Sequence, residues 1–71
     1  MTKAEKAQVV DDIGLMVWRG AMGRQAAAWF IKRLYNVDLD KARDMVMGAM
    51  TAHMISDVEF NHKQIGEMHE H

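Results

Sequence analysis

The sequence contains neither cysteine nor proline. Without cysteine the chain cannot form disulfides or thiolate metal sites, and this composition fits a protein of the reducing cytoplasm. Without proline, and with abundant alanine and methionine, little in the chain interrupts a helix and few residues favour strands. We therefore predict an all-α fold, a small bundle of three to four helices, as a single helical domain over residues 1–71.

The chain also lacks a long hydrophobic run. The longest strictly apolar stretch, residues 26–31, is far shorter than the roughly 20 residues of a membrane-spanning helix. Asp11 and Asp12 interrupt the apolar segment that a signal peptide would need after Lys3 and Lys6. These features predict a cytoplasmic protein that makes no contact with membranes.

Few residues suit catalysis. The candidate hydroxyl nucleophiles are Thr2, Thr51 and Ser56, and no glycine-rich phosphate loop ending in Gly-Lys-Ser/Thr is present. A chain this short also encloses a substrate pocket of about 300 Å³ with difficulty. The sequence predicts a protein that is not an enzyme, holds no cofactor and acts by binding, as many small regulators and accessory factors of bacteria and phages do.

Charge is distributed unevenly along the chain. Residues 1–35 carry six Lys or Arg against three Asp or Glu, whereas residues 36–71 carry three against seven. Such complementary halves suit antiparallel helix packing or contact between subunits, and they disfavour a surface that attracts nucleic acid uniformly.

Capping signals divide the chain into helices. Thr2 and Glu5 form a capping-box pattern, which predicts a first helix over residues 3–19. The glycine-containing segment 20–23 predicts a turn, and a second helix follows over residues 23–35. Asn36 is the predicted stop, and Asp38 or Asp40 is the predicted cap of the third helix.

Apolar residues at helical spacing predict which faces of these helices are buried. On the first helix they are Val9, Val10, Ile13, Met16 and Val17, and on the second Ala27, Phe30, Ile31 and Leu34. On the third helix they are Leu39, Ala42, Met45, Val46, Ala49, Met50 and His53, with Met47 and Met54 to one side. Ser56 and Glu59 repeat the capping-box spacing, so we favour a break near Ser56 and a fourth helix from Asp57 over one helix continuing to Ile65.

The apolar arc of the third helix spans more than half its circumference, which two short helices can cover only partly. Methionine is abundant, with eight residues in the chain, and its flexible thioether adapts well to a partner surface. We therefore predict a homodimer that completes the bundle. The predicted dimer interface consists of Met47, Met50, Met54, Val46 and His53.

The two tryptophans lie off the main apolar stripes of their helices. Trp29 is bracketed by polar and basic residues, and a large aromatic beside arginine dominates the binding energy of many interfaces. The residues predicted to bind a protein partner are Trp29, Lys32, Arg33, Gln25 and Trp18. In the alternative interpretation the tryptophans pack on each other across the glycine turn or against the third helix.

Two other classes of function stay open. Arg19, Arg24, Lys32 and Arg33, interleaved with aromatic residues, are typical of a nucleic-acid-binding regulator. The acidic start of the third helix opposes that interpretation, because its aspartates repel phosphate. Glu59 and His62 have the spacing of metal sites in helical bundles, but such a site needs a second copy and further inward carboxylates. The tail residues His69 and His71 we expect to bind metal only adventitiously.

Overall fold

A computed structural model describes the backbone of residues 1–69 and the side chains of residues 1–63. It contains three helices, α1 (Lys3–Trp18), α2 (Arg24–Tyr35) and α3 (Leu39–His69). No strand occurs in residues 1–69. The prediction of a small all-α bundle is confirmed, with three helices. None of the helices, over the residues described, combines the length and the hydropathy that crossing a bilayer requires.

α1 begins at the predicted capping box. The Thr2 hydroxyl accepts a hydrogen bond from the Glu5 amide at 3.1 Å, and the Glu5 carboxylate accepts one from the Thr2 amide at 3.2 Å. These bonds satisfy amide groups that have no partner inside the helix. α1 ends at Trp18, and Gly20 takes a left-handed φ of 77° that turns the chain towards α2.

The short connection between α2 and α3 also follows the sequence prediction. Asn36 caps the C-terminus of α2 in the left-handed conformation, with φ 53° and ψ 50°. Asp38 then accepts a hydrogen bond from the Lys41 amide at 2.7 Å, which caps the first turn of α3. The two helices are therefore joined by only a few residues, which makes them antiparallel neighbours.

The predicted break near Ser56 is wrong, because α3 continues without interruption through this position to His69. Neither glycine nor proline occurs between Gly48 and Gly66, so the backbone has no element that ends a helix there. The side chain of Ser56 is exposed, and an exposed serine is tolerated within a helix. The fourth helix is simply the second half of α3.

The core lies where α1 and α2 pack against the first half of α3. Its buried side chains are Ile13, Val17, Ala27, Ala28, Ile31, Ala42, Val46 and Met50. α1 and α3 are in close contact at Gly14, where an added Cβ atom would lie 2.5 Å from the Cβ atom of Ala49. Only glycine permits this approach at position 14.

Two residues predicted for the core are instead exposed. Phe30 is 51% exposed and Met16 is 40% exposed, whereas Ala28, which was not predicted, is fully buried. The reason is that α2 packs through Ala27, Ala28 and Ile31, which turns Phe30 towards the edge of the bundle.

The second half of α3 projects from the bundle. α3 has 31 residues, which makes it about 46 Å long, while α1 and α2 have 16 and 12 residues and are about 24 and 18 Å long. The longest dimension of the molecule, 52 Å, is therefore set by α3. Two large apolar side chains in the projecting part, Val58 and Phe60, are each 60% exposed.

Candidate protein-binding surface

The side of α2 that faces away from the core carries four of the five predicted partner-binding residues. Gln25, Trp29 and Arg33 follow one another at intervals of one helical turn and are exposed, and the half-buried Lys32 lies beside them. We call these four residues the α2 outer face. Their common orientation follows from the burial of the opposite side of the helix at Ala27, Ala28 and Ile31.

Trp29 is the largest side chain of the α2 outer face and is 46% exposed. The Lys32 ammonium group lies 5.5 Å from the centroid of its ring, which is within the range of a cation–π interaction. At an exposed site such a contact contributes about 0.5 to 1 kcal/mol. The contact places a cation beside an indole that is still open to a partner.

A depression of about 270 Å³ adjoins the α2 outer face. It is lined by Arg24, Gln25, Arg43, Val46 and Met47. Val46 and Met47 are apolar, whereas the two arginines bring guanidinium groups that favour carboxylates. Arg43 also lies 3.6 Å from the Asp40 carboxylate in an exposed ion pair, which contributes little and is easily exchanged for another partner.

Trp18 is not part of the α2 outer face. Its indole Nε1 donates a hydrogen bond to Asp57 Oδ2 at 2.6 Å, and the side chain is 37% exposed. This contact joins the end of α1 to the point where α3 leaves the bundle. It agrees with the alternative interpretation, in which a tryptophan contacts the third helix.

The predicted dimer residues divide between the core and the surface. Val46 is 1% and Met50 8% exposed, because α1 and α2 of the same chain cover them. Met47 is 42% exposed, while His53 and Met54 are half-buried. Dimerisation through α3 stays a prediction. Of its predicted contact residues, Met47 lies at the surface, whereas Val46 and Met50 are buried within the single chain.

His53 is held by α1. Its Nε2 atom lies 2.9 Å from the carbonyl oxygen of Asp11 and 3.1 Å from the carboxylate of the same residue. Asp11 lies before Gly14 and Trp18 lies after it, yet both contact α3 on the C-terminal side of Ala49. These contacts join α1 to the part of α3 between Ala49 and Asp57.

A second groove, which the sequence did not predict, lies between α1 and α2. It has a volume of about 240 Å³ and is lined by Val9, Asp12, Ile13, Met16, Met22 and Phe30. The sequence did indicate that α2 has apolar residues on more than one side, which is how a groove such as this one can be lined. The prediction assigned Phe30 to the buried stripe of α2, although Ala28 completes that stripe equally well.

The residues predicted for nucleic-acid binding and those predicted for metal binding lie in different parts of the structure. Arg19, Arg24 and Arg33 are exposed, but so are Asp38, Asp40 and Asp44 at the start of α3. Among the side chains of residues 1–63, no group of three His, Asp or Glu lies close enough to share a metal ion. Glu59 and His62 are exposed on the projecting part of α3. His69 and His71 lie outside the described side chains.

Comparison with protein-family models, curated protein sequences and solved structures finds no match to this chain. Its function has to be inferred from its own surfaces.

Proposed function

We propose that this chain is a small, non-enzymatic regulatory or accessory protein of the cytoplasm, which binds another protein through the α2 outer face and works as a homodimer. It would act by covering a surface of that partner or by bridging two partners. The homodimer is completed through α3, whose apolar residues exceed what α1 and α2 cover.

The exposure of Trp29 supports this proposal most strongly. Burial of such a side chain contributes about 1.5 to 3 kcal/mol, so leaving it in water forgoes stability that a small domain can use. Tryptophan flanked by arginine is also enriched among the residues that dominate interface energies. The same helix buries two alanines and one isoleucine, so its largest residue is held outside the core.

The surrounding charges indicate the chemistry of the partner. Lys32 and Arg33 flank Trp29, and Arg24 and Arg43 line the adjoining depression. A segment with carboxylates beside aliphatic side chains would pair with these cations and place apolar groups against Trp29 and Met47. We therefore propose an acidic, amphipathic segment of another protein as the partner.

Two neighbouring aromatic residues provide a matched test. Trp29 and Phe30 are similarly exposed, at 46% and 51%, but lie on different sides of α2. With the chain immobilised in a lysate of its source cells, Trp29→Ala should abolish capture of the partner, whereas Phe30→Ala should retain it. The captured protein is then titrated with both variants by calorimetry, and we expect a loss of about 2 kcal/mol or more for Trp29→Ala alone.

The circular dichroism spectrum and melting temperature of each variant serve as controls for folding. If Trp29→Ala binds as well as the wild type, the α2 outer face is not the binding surface. If it melts far below the wild type, Trp29 acts in the fold and the proposal fails.

A nucleic-acid-binding regulator is the second candidate, supported by the two arginines that line one depression and by exposed Arg19 and Arg33. Binding through phosphate contacts weakens steeply with salt, because neutralised phosphates release their counterions. Fluorescence anisotropy of labelled single- and double-stranded oligonucleotides at about 50 and 200 mM salt tests this candidate directly. Binding that falls sharply over this range would favour nucleic acid.

A further inference from the structure

The depression beside the α2 outer face is formed by two helices, and we call it the arginine depression. Arg24 and Gln25 come from the first turn of α2, whereas Arg43, Val46 and Met47 come from α3. The latter two follow Arg43 by three and four residues, so all three lie on one side of α3. The antiparallel packing of α2 and α3 therefore brings two arginines that are distant in the sequence to one concavity.

The lining of the arginine depression combines cations with apolar surface. Val46 is 1% exposed and Met47 is 42% exposed, so the apolar part reaches from the core to the surface. Arg24, Gln25 and Arg43 are all exposed. Among the side chains of residues 1–63, no aspartate or glutamate lines the depression. Two permanent positive charges and a carboxamide thus border an apolar wall.

This combination favours a small molecule with a carboxylate and an apolar body. The guanidinium group stays charged at any physiological pH, and its planar fork matches the two oxygens of a carboxylate. Ligand sites usually consist of apolar surface with a few polar groups that fix the orientation of the ligand. The volume of about 270 Å³ lies just below the usual range of ligand pockets, which suits a compact ligand.

The arginines have little counter-charge of their own. Arg43 lies 3.6 Å from the Asp40 carboxylate, which is longer than a hydrogen bond, and the Asp40 side chain is 94% exposed. An exposed pair of this kind contributes little, so a ligand carboxylate can replace it. Among the side chains of residues 1–63, Arg24 takes part in no ion pair. Positive potential is therefore left for an anion at this place.

We propose that the arginine depression binds a small organic acid, whose carboxylate lies between Arg24 and Arg43 and whose apolar body lies against Val46 and Met47. The bound acid would occupy the same cations as the acidic segment of a protein partner, so it would regulate that contact by competition. Only this competition rests on the proposed function.

The first test uses methionine methyl groups as local reporters. In protein labelled with carbon-13 at the methyl groups of its eight methionines, Met47 reports on the arginine depression, whereas Met16 and Met22 report on the groove between α1 and α2. Single Met→Leu variants assign the three signals. The probe is 3-phenylpropionate, because its ring shifts the resonances of nearby methyl groups and contacts thioethers favourably.

Titration with 3-phenylpropionate should shift the Met47 signal in a saturable way and leave those of Met16 and Met22 in place. We expect a dissociation constant of about 1 to 10 mM, as is usual for a ligand of about ten non-hydrogen atoms. The alcohol 3-phenylpropan-1-ol lacks the carboxylate and should bind at least about tenfold more weakly. Acetate at the same ionic strength lacks the apolar body and should not shift Met47.

The second test compares two variants of α3 that each remove one positive charge. Arg43→Gln should weaken binding of 3-phenylpropionate about tenfold or more, because a charge-assisted hydrogen bond is lost. Lys41→Gln is the control, because Lys41 is exposed but lies on another side of the helix, about 200° away. Arg24→Gln repeats the test from α2. Unchanged methyl signals of the core residue Met50 show that each variant is folded.

Several results would overturn this site. They are the absence of a Met47 shift up to about 20 mM 3-phenylpropionate, equal binding of the alcohol, and shifts of Met16 and Met22 as large as that of Met47. Equal weakening by Lys41→Gln and Arg43→Gln would show that only the overall charge matters, and would overturn it as well.

Binding of the acid and binding of a protein partner are tested separately. The methyl signals are recorded without any partner, so their outcome does not depend on the α2 outer face. If the acid binds but Trp29→Ala still captures the partner, the α2 outer face fails alone. If Trp29→Ala abolishes capture but 3-phenylpropionate does not shift Met47, the acid site fails alone.

Discussion

The two halves of α3 differ in surroundings more than in composition. In the first half Ala42, Val46 and Met50 are buried, whereas in the second half Val58 and Phe60 are each 60% exposed. Both halves are helical and both contain regularly spaced apolar residues. What separates them is the reach of α1 and α2, which have 16 and 12 residues against the 31 of α3 and are too short to cover the whole of it.

The comparison shows that one helix can carry two kinds of apolar surface with different tasks. The first half of α3 contributes to the core, so a substitution there should lower the free energy of unfolding. The second half is largely uncovered in the single chain, so a substitution there should mainly weaken association with a second copy. The following predictions test this division.

The largest effect is expected at the crossing of α1 and α3. In Gly14→Ala the new methyl group would lie 2.5 Å from the Ala49 Cβ atom and 2.7 Å from its carbonyl carbon. The backbone of α3 cannot move aside without losing contacts, so we expect a loss of about 3 kcal/mol in the free energy of unfolding. Urea denaturation followed by circular dichroism measures this loss.

Gly48 is the control for this substitution, because an added Cβ atom there meets nothing within 4 Å. Gly48→Ala should stabilise the protein by about 0.5 to 1 kcal/mol, since alanine is the better helix former. If both alanine variants shift stability in the same direction, the close approach at Gly14 does not determine the packing of α1.

The next largest effect is expected for Val46, and Val58 on the same helix provides the comparison. Val46→Ala removes two buried methyl groups and should cost about 2 kcal/mol, whereas Val58→Ala should change stability by less than about 0.5 kcal/mol. Both are measured by thermal and urea unfolding at low protein concentration, where self-association contributes little. Equal losses in the two variants would contradict the division of α3 into a core half and an open half.

The smallest effect concerns the junction between the halves. Trp18→Phe removes the donor of the hydrogen bond to Asp57, and the exposure of both groups limits the loss to about 0.5 to 1 kcal/mol. Asp57→Ala removes the acceptor and should cost a similar amount. The double variant should lose less than the sum of the two, and strictly additive losses would show that the contact is not formed in solution.

Local signals in the sequence were sufficient to predict where α1 begins and where α2 ends. The Thr2–Glu5 capping box, Asn36 and Asp38 each act through residues close in the chain, and the structure has all of them. The same spacing at Ser56 and Glu59 misled the prediction, because a capping box requires a backbone that leaves the helix, and no residue there favours this.

Long-range packing was not available from the sequence. Helical periodicity predicted that Gln25, Lys32 and Arg33 lie opposite the buried side of α2, and they lie there, since a residue's side of a helix depends only on its position along it. It could not show where α1 crosses α3, because that crossing depends on the contact of Gly14 with Ala49, far away in the chain. The broad apolar arc of α3 was therefore treated as one surface, although α1 and α2 cover Val46 and Met50 and leave Val58 open.

The placement of the two tryptophans has a practical consequence for spectroscopy. Trp29 lies on the α2 outer face beneath the Lys32 ammonium group, whereas Trp18 is bonded to Asp57 where α3 leaves the bundle. Each single-tryptophan variant, with phenylalanine at the other position, thus has one fluorophore in one of the two regions. Emission from one position would report on contact with a partner, and emission from the other on the joint between the bundle and its projecting helix.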